Sequence, residues 1–465
     1  IGFYYTLYEY SKLYSDEYGV TLLVATSANN FTYGSSTVQT YGTSTCIISF
    51  DSNGSLNGLE SNNNLSSNRY YEYSQSSDGS IYIARNDANT WNDSSGNQYS
   101  AGLSLAKYVN GSIDWVRIVN TTSSLSYVGY YLYQTSRQYS EMFSDDYGLT
   151  LIGRTGANNF TYSSTTVESF GSSTYFISFD SNGNLNNIEI NNNVTSGYNM
   201  ELSQSSDGSI YIARYIGNSW NDSSGNQYNA GISFAKFVNG SIDWVRIVNT
   251  TSSVTYVGYY LGTWKYSEMF SDEYGLTLLV SRTGENNLTH GSTTVKSYGI
   301  NSRFIISFDS NGNLNNINVM NNLTNTNEER SQSSDGSIFT AIYNSNSWND
   351  SSGNQYPAGL SFTKFVNGSI NWLTTINTTD TVYYVGYLYY LYKYSEMFSD
   401  EYGLTLLASR FGANNLTYGS TTVQGYSVQS DYIVGVLNSE DFDDDDDGIL
   451  DSNDSCPRGA LNWTS

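Results

Sequence analysis

The stretch ISFAKFVNGSIDWVRI, residues 232–247, decides the fold of this chain. Residues 232–238 and 241–247 each alternate in side-chain character with a period of two, as half-buried β-strands do. Asn239 and Gly240 separate the two runs, and both residue types tolerate the positive φ that a type I′ turn requires. The stretch therefore predicts a β-hairpin.

The hairpin belongs to a sequence repeat. FSDDYGLTLIGRTGANNFTY begins at Phe143, and related copies begin at Tyr14, Phe270 and Phe398. A second unit, SSDGSIYIAR, follows each of the first three copies after about 60 residues, and each unit contains a hairpin. In the first unit the hairpin reads FISFDSNGNLNNIEI, around Asn182-Gly183. The two units resemble diverged copies of one another, so the chain contains seven modules of about 60 residues.

The fold class follows from these modules. The chain has only 2 prolines and no long apolar stripe of helical period, so helices are expected to be minor. Seven similar four-stranded modules predict a seven-bladed β-propeller, and the alternative is a linear array of β modules. We assign residues 1–437 to this repeat domain and residues 438–465 to an acidic tail.

Composition excludes several classes of protein. The net charge is -24, from 19 Lys and Arg against 43 Asp and Glu, which argues against nucleic acid and anionic lipid as partners. No apolar run approaches the ~18 residues of a membrane span. Cys46 and Cys456 are the only cysteines, so no disulfide framework is expected. Because the first residue is Ile1, we expect the numbering to start inside a longer precursor.

The acidic tail contains the sequence DFDDDDDGILDSNDSCPRG, which begins at Asp441. When Asp443 is taken as the first ligand, carboxylates fall at loop positions 3, 5, 9 and 12, and Gly448 falls at position 6. Calcium takes six to eight oxygen ligands, and the glycine allows the loop to fold over the ion. A solvated acidic linker is the alternative. The predicted calcium ligands are Asp443, Asp445, Asp447, Asp451, Asp454 and the carbonyl of Ile449.

Triplets of the form Asn-x-Ser/Thr recur at equivalent positions of the modules, and in an exported protein they are acceptors for N-linked glycans. The predicted glycosylation positions are Asn30, Asn92, Asn120, Asn159, Asn221, Asn249, Asn287, Asn349, Asn377 and Asn415. Within this set Asn92, Asn221 and Asn349 are favoured, because they lie in predicted loops.

Residues suited to catalysis are few. His290 is the only histidine, and it stands where other modules have Tyr33, Tyr162 and Tyr418, so it is expected to be a substituted surface or packing residue. Cys46 occupies a strand position that is aromatic in other modules and is expected in the core. We therefore predict no catalytic residue and no organic cofactor site.

Two groups of repeated residues have alternative interpretations. Three tryptophans, Trp91, Trp220 and Trp348, either stack on sugars or pack in the core or at subunit contacts, with the packing roles favoured. Several repeated arginines either line a channel as an anion site or pair with carboxylates between modules, with pairing favoured. These arginines are Arg85 with Arg214, and Arg154 with Arg282 and Arg410.

Three resemblances add to this interpretation. The DGSIYIA, FAKF and GSIDW strands resemble the β-propeller repeats of bacterial and archaeal surface proteins, from residue 1 to about 437. The calcium loop followed by Cys456-Pro457 resembles a thrombospondin type 3 repeat. FSDDYGLT, from Phe143, resembles the Asp box of sialidase-type propellers, which implies a structural hairpin and no active site. Together they imply a cell-surface or extracellular location and calcium binding.

The expected function is that of an exported, non-enzymatic structural or adhesive surface protein. The last module lacks the strand that NGNLNNIEI forms elsewhere, while residues 1–8, IGFYYTLY, supply an extended segment for strand addition. This pattern predicts a homo-oligomer, fibre or surface array, with ring closure within one chain as the competing outcome. A carbohydrate-binding propeller module is the alternative function, and a propeller glycosidase is the less favoured third.

Overall fold

The computed structural model describes 4–438 with internal gaps, and every regular element in these residues is a β-strand. The gaps are 6–7, 10, 28–29, 66–70, 124, 126–127, 129–130, 133–136, 139, 193–199, 255–256, 259, 262–263, 282–283, 300, 325–327, 380–384, 386–387, 390–391, 394, 401–402, 410–414 and 425–431. The predicted all-β class is therefore confirmed. Within the described residues there is no helix with the length and apolar character needed to cross a membrane.

Seven modules follow one another along the chain. Modules 1 and 2 and the segments beside them contain β1 (Tyr4–Tyr5), β2 (Tyr8–Glu9), β3 (Ser11–Asp16), β4 (Gly19–Ser27), β5 (Asn30–Tyr33), β6 (Ser36–Gln39), β7 (Thr43–Asp51), β8 (Leu56–Asn62), β9 (Tyr71–Gln75), β10 (Ile81–Asp87), β11 (Trp91–Asn92), β12 (Gln98–Tyr99), β13 (Gly102–Val109), β14 (Ser112–Thr121), β15 (Tyr131–Leu132) and β16 (Arg137–Gln138). Module 1 comprises β3 to β8, and module 2 comprises β9 to β14.

Modules 3 and 4 repeat this order. Their strands are β17 (Ser140–Asp145), β18 (Gly148–Thr155), β19 (Asn158–Tyr162), β20 (Thr165–Ser169), β21 (Ser173–Asp180), β22 (Leu185–Asn191), β23 (Glu201–Gln204), β24 (Ile210–Ile216), β25 (Trp220–Asn221), β26 (Gln227–Tyr228), β27 (Gly231–Val238) and β28 (Ser241–Thr250). Module 3 comprises β17 to β22, and module 4 comprises β23 to β28.

Modules 5 to 7 complete the series. Their strands, with the linking pairs, are β29 (Tyr260–Leu261), β30 (Trp264–Lys265), β31 (Ser267–Asp272), β32 (Gly275–Val280), β33 (Asn286–His290), β34 (Thr293–Ser297), β35 (Arg303–Asp309), β36 (Leu314–Met320), β37 (Glu328–Gln332), β38 (Ile338–Asn344), β39 (Trp348–Asn349), β40 (Gln355–Tyr356), β41 (Gly359–Val366), β42 (Ser369–Thr378), β43 (Leu388–Tyr389), β44 (Tyr392–Lys393), β45 (Ser395–Asp400), β46 (Gly403–Ser409), β47 (Asn415–Tyr418), β48 (Thr421–Gln424) and β49 (Tyr432–Asn438). Module 5 comprises β31 to β36, module 6 β37 to β42, and module 7 β45 to β49.

The chain divides into two compact units, residues 1–269 with 289–292 and residues 270–288 with 293–465. In the first unit, modules 1 to 4 each contain a four-stranded antiparallel sheet, such as β17-β18-β21-β22 in module 3. The hairpin β19–β20 leaves module 3 and extends the sheet of module 2, where Asn120 pairs with Thr161. This pairing fastens successive modules by backbone hydrogen bonds.

The second unit is built in the same way. Module 6 has a four-stranded sheet, and the hairpin β47–β48 of module 7 extends it through the pairing of Asn377 with Thr417. Module 7 has the three-stranded order β45-β46-β49 in the described residues. The repeated four-stranded antiparallel modules predicted from the sequence are therefore confirmed, and the shorter last sheet agrees with its sequence.

The cores lie between successive sheets. Between modules 3 and 4, Ile152 and Phe176 pack with Ile210 and Ile212. Between modules 6 and 7, a second core includes Phe362 and Leu404. Within each unit, modules therefore pack face to face on their neighbours in chain order.

The two predicted kinds of Asn-Gly turn differ in the structure. Asn239 and Gly240 have φ of 49° and 75°, so the predicted type I′ geometry is confirmed. At Asn182-Gly183 only the glycine has positive φ, at 78°. There the Asp180 carboxylate accepts backbone N–H groups of Asn182, at 2.9 Å, and Asn184, at 2.7 Å. The predicted hairpin is confirmed. Its turn geometry is set by the hydrogen bonds to Asp180, and not by positive φ at both residues of the Asn-Gly pair.

Candidate functional site

Two buried arginines meet at the junction between modules 3 and 4. Arg154 on β18 lies directly opposite Thr174 on β21. Arg214 on β24 donates from Nη1 to the Thr174 hydroxyl at 3.0 Å. The two arginines are 8% and 4% exposed. Alternation explains the placement, because each arginine stands two residues after an isoleucine of the junction core and shares its face.

Charge is not balanced around Arg214. Burial, and after it the nearby charge of Arg154, lower the pKa of the Arg214 guanidinium to about 9. Its second contact is the ring of Trp220, whose centre lies 4.9 Å from the guanidinium carbon. Over the described residues, no carboxylate forms a salt bridge with Arg214. An arginine keeps its proton in proteins, so the low pKa measures how unfavourable its buried charge is.

The equivalent residue of module 2 is neutralised locally. Arg85 donates from Nε to Asp87 at 2.6 Å, and both side chains are at least nine-tenths buried. The Arg85 guanidinium lies 4.0 Å from the centre of the Trp91 ring. The predicted pairing of a repeated arginine with a carboxylate is confirmed here, although the partner belongs to the same strand and not to a neighbouring module.

Modules 5 and 6 hold a third arrangement, which sequence reasoning missed. Arg303 on β35 and Arg330 on β37 both form salt bridges with Glu328. Burial lowers the pKa of the fully buried Arg303 to about 10, with the charge of Glu328 opposing that effect and Arg330 adding to it. The sequence signal for this arrangement is Arg303 itself, a charged residue two positions before Ile305 and therefore on the same face of the strand as that apolar side chain.

Strand register also corrects the predicted group of Arg154, Arg282 and Arg410. Gly153 pairs with Tyr175, and Val280 pairs with the equivalent Phe304. The residue that follows is Arg154 in module 3 and Ser281 in module 5. The equivalent of Arg154 is therefore Ser281, which accepts from Arg303 Nε at 3.4 Å. Arg282 and Arg410 lie outside the described residues.

The repeated tryptophans are fully buried. Trp91, Trp220 and Trp348 each have 0% exposure. They stack on Tyr99, Tyr228 and Tyr356, with ring centres 4.2 to 4.4 Å apart. A sugar has no access to these rings. The favoured core role is confirmed, and stacking of these tryptophans on sugars is wrong.

The glycosylation positions differ in accessibility. Asn30, Asn120, Asn249 and Asn377 are exposed, whereas Asn92, Asn159, Asn221, Asn287, Asn349 and Asn415 are partly buried. The favoured set, Asn92, Asn221 and Asn349, forms isolated backbone bridges with Asn63, Asn192 and Asn321. Exposure therefore favours the strand-end positions Asn120, Asn249 and Asn377, and glycosylation itself stays a prediction.

Cys46 and His290 have structural surroundings. Burial, and next the charge of Glu60, raise the pKa of the Cys46 thiol to about 12, and the side chain is fully buried as expected. His290 is partly buried and its Nδ1 lies 2.9 Å from the Ile247 carbonyl oxygen. The predicted core position of Cys46 is confirmed, and the partly buried His290 agrees with a surface or packing residue.

The turn that resembles an Asp box fastens neighbouring modules. Asp145 accepts backbone N–H groups of Tyr147 and Gly148, at 2.8 and 3.1 Å, and a long hydrogen bond from Gln204 of module 4 at 3.4 Å. Asp146 accepts the hydroxyl of Ser77 in module 2 at 2.5 Å. The motif forms the structural hairpin that the resemblance implied.

Two predictions fall on other parts of the chain. The calcium ligands Asp443, Asp445, Asp447, Ile449, Asp451 and Asp454 lie outside the described residues. In the N-terminal segment, the short strands Tyr4–Tyr5 and Tyr8–Glu9 pair with each other. The proposed strand addition by residues 1–8 is not tested by this pairing.

The junctions between modules offer buried guanidinium groups. A guanidinium pair donates several hydrogen bonds and attracts anions, but it does not act as a base at neutral pH. Among the described residues, no group of three or more His, Cys, Asp or Glu side chains converges to hold a metal ion. No protein-family model matches the chain. No curated protein sequence matches it either.

Proposed function

We propose that this chain is an exported, non-enzymatic structural or adhesive surface protein that self-assembles through the outer faces of its first and last modules. The supporting observation concerns one position in the first strand of the odd-numbered modules. Leu13 of module 1 is 61% exposed, whereas the equivalent Met142 and Met397 of modules 3 and 7 are 5% and 6% exposed. Module 1 therefore presents an apolar face that interior modules bury.

Module 7 presents the opposite face. Leu407 is 40% exposed, whereas the equivalent Ile152 and Leu279 are 0% exposed. Phe398, in the neighbouring strand, is 57% exposed. A module at the start of the chain and a module at its end thus carry the two kinds of face that pack together at the interior junctions.

We call the face that carries the position of Leu13 the leading face, and the face that carries the position of Leu407 the trailing face. Within each unit, successive modules join a trailing face to a leading face, so the two exposed end faces are of the kinds that pack together. Contact between a leading face and the trailing face of a second copy is heterologous, and such contacts produce fibres when the rotation does not close. Burying a side chain such as Leu13 or Phe398 is favourable by about 1.5–3 kcal/mol each. We propose that copies of the chain add head to tail in this way, forming an extracellular fibre or array.

The arrangement of modules belongs to the same proposal. We propose blade-like packing of the repeated sheets, as in a seven-bladed β-propeller, throughout residues 1–437. A seven-bladed ring closed within one chain would cover both end faces without a second copy. A linear array is the other arrangement consistent with repeated modules.

The tail and the sequons complete the proposed surface role. The acidic loop within residues 438–465 binds calcium through the ligand set given above. Glycans on the exposed Asn120, Asn249 and Asn377 would project from the ends of β14, β28 and β42. Both features are typical of extracellular or cell-surface proteins.

Mixing two variants tests the assembly. Leu13→Asp blocks the leading face and Phe398→Asp blocks the trailing face, so each variant alone is expected to stop growth. In a mixture, the intact trailing face of Leu13→Asp can pair with the intact leading face of Phe398→Asp. The mixture is therefore expected to give heterodimers, and no longer assemblies, in sedimentation velocity. Phe170→Asp, at an exposed aromatic of module 3 (60% exposed), serves as the control and should assemble as wild type does.

Wild-type protein that stays monomeric at high concentration with calcium present would contradict the assembly. Monomers that lose stability in both end-face variants, with no heterodimer in the mixture, would instead support a closed ring. Electron microscopy of the wild type separates rings from filaments directly. The fold argument is retained in either case.

A carbohydrate-binding function is the second candidate, and a repeated set of exposed rings favours it. Tyr18, Tyr147 and Tyr274 follow the acidic residues of the same turn in modules 1, 3 and 5, and they are 54%, 74% and 66% exposed. Tyrosine offers an apolar ring face beside a polar hydroxyl, which suits contact with sugars or with protein partners. Glycan-array binding that is lost in Tyr147→Ser but unchanged in Phe170→Ser would favour this function.

A further inference from the structure

The junction between modules 3 and 4 contains a buried cation without a protein counter-charge. Arg214 is 4% exposed, and its one hydrogen-bond partner among the described residues is the neutral hydroxyl of Thr174. Arg154 lies opposite Thr174 and adds a second positive charge. A buried charge is strongly unfavourable unless it is paired, so the buried charge of Arg214 favours the binding of an anion.

The nearest carboxylates are engaged elsewhere. Glu201 lies opposite Ala213, which places it on the other face of the sheet from Arg214, and it accepts the Ser267 hydroxyl at 2.6 Å. Glu189 accepts both the backbone N–H and the hydroxyl of Ser223, at 2.9 and 2.6 Å. Burial raises the pKa of Glu189, which is the opposite of what a close arginine would cause.

The sequence before β23 lacks the carboxylate that module 6 has there. Residues 193–199, which connect β22 to β23, contain no Asp or Glu. The residue that corresponds to Glu328 of module 6 is Met200, because each precedes an equivalent glutamate. Module 4 therefore has a methionine at the position where module 6 places the carboxylate that neutralises two arginines.

We propose that Arg214 binds a small tetrahedral oxyanion, phosphate or sulfate, beside Arg154 at the junction of modules 3 and 4. Guanidinium groups present planar pairs of N–H donors that match such oxyanions, and charge-assisted hydrogen bonds of this kind are about twice as strong as neutral ones. Thr174 holds Arg214 in place through its hydroxyl. The low exposure of both arginines restricts the site to a small solute.

The bound anion has a structural consequence. It supplies at this junction the negative charge that Asp87 supplies in module 2 and Glu328 supplies in module 6. A ligand that binds only the folded state raises the melting temperature as its concentration rises. The full chain is therefore expected to melt at a higher temperature in phosphate or sulfate than in chloride of equal ionic strength.

The test follows melting temperature against phosphate, sulfate, acetate and chloride at constant ionic strength. Sulfate and phosphate also stabilise proteins in general, by exclusion from the surface. Arg214→Ile, which copies the residue at the equivalent position 342 of module 6, separates the two effects. Wild type should show a saturable rise of several degrees that this variant lacks, while both retain the same non-saturating slope.

Two further variants sharpen the test. Met200→Glu supplies a carboxylate at the position of Glu328, so it should melt higher than wild type in chloride and lose the saturable response to phosphate. Arg85→Ile is the matched control, because it removes the equivalent arginine of module 2 and should leave the saturable response unchanged.

Three outcomes would overturn the proposal. The first is an equal saturable response in wild type and Arg214→Ile. The second is a response to acetate without one to phosphate or sulfate. The third is an unchanged phosphate response in a folded Met200→Glu variant. Isothermal titration of phosphate into the full chain provides the independent measure, and wild type is expected to bind at one site.

Discussion

The junction between modules 3 and 4 and the junction between modules 5 and 6 both bury an arginine at one equivalent place, but a different strand carries it in each. In the first, Arg154 and Thr174 stand opposite each other on the second and third strands. In the second, Ser281 directly follows the second strand and Arg303 lies on the third. The arginine has changed strand, yet the backbone register around it is the same in both modules.

What differs is the origin of the neutralising charge. Glu328 lies between Arg303 and Arg330, so the second unit balances its buried charge from its own sequence. Burial lowers the pKa of both Arg214 and Arg303, but the charge of Glu328 opposes that effect at Arg303, whereas the charge of Arg154 adds to it at Arg214. The comparison teaches that the sheet scaffold tolerates buried arginines, and that each junction must find its counter-charge separately.

The largest expected effect comes from removing the shared carboxylate. Glu328→Gln keeps the shape of the side chain but leaves two buried arginines uncompensated. Removing one partner of a buried pair costs about 3–5 kcal/mol, and we expect the upper end because two arginines depend on Glu328. Urea unfolding followed by circular dichroism measures the loss.

Glu273→Gln provides the control for that experiment. Glu273 lies in an exposed turn of module 5, and exposed substitutions change the free energy of unfolding by only about 0.5 kcal/mol. If Glu328→Gln cost no more than Glu273→Gln, the interpretation of Glu328 as the required counter-charge would be wrong.

Module 2 offers a test in which charge is removed in steps. Asp87→Asn alone leaves Arg85 buried without its partner and is expected to cost about 3 kcal/mol. Adding Arg85→Ile reproduces the pair found at positions 342 and 344 of module 6, an isoleucine and an asparagine. Because a buried ion pair contributes little net stability, the double variant should unfold within about 1 kcal/mol of wild type.

The outcome depends on the second substitution. A double variant as unstable as Asp87→Asn would show that shape, and not charge, decides stability at this position. Melting curves of wild type, both single variants and the double variant complete the thermodynamic cycle.

Much of the fold was predictable because its signals are local. The period of two and the Asn239-Gly240 pair predict a hairpin from sixteen consecutive residues, and the structure has it with both φ values positive. Repetition then extends that prediction to seven modules. At Asn182-Gly183 the same dipeptide gives another turn, because the nearby Asp180 side chain accepts two backbone N–H groups and fixes a different geometry.

The buried charges were harder to predict because they depend on register between strands. Aligning the repeats by their letters groups Arg154 with Arg282, but strand pairing places Ser281 at that position. Glu328 reaches Arg303 across 25 residues of sequence, and nothing local indicates that contact. Arg85 and Asp87, two residues apart on one strand, were within reach of a local argument.

The smallest expected effect compares two equivalent tryptophans. Trp91 and Trp220 are both fully buried and both stack on a tyrosine. The indole N–H of Trp91 donates to the Ser104 hydroxyl at 3.1 Å. That of Trp220 has no hydrogen-bond partner among the described residues.

Substitution by phenylalanine removes the same ring volume at both sites, so the cavity cost cancels in the difference. Trp91→Phe should therefore lower the free energy of unfolding by about 1 kcal/mol more than Trp220→Phe, the net contribution of one hydrogen bond. Equal losses of unfolding free energy in urea would indicate that the Trp220 indole N–H has a hydrogen-bond partner of its own, such as the proposed oxyanion. Measuring both variants in phosphate and in chloride tests whether that partner is the oxyanion.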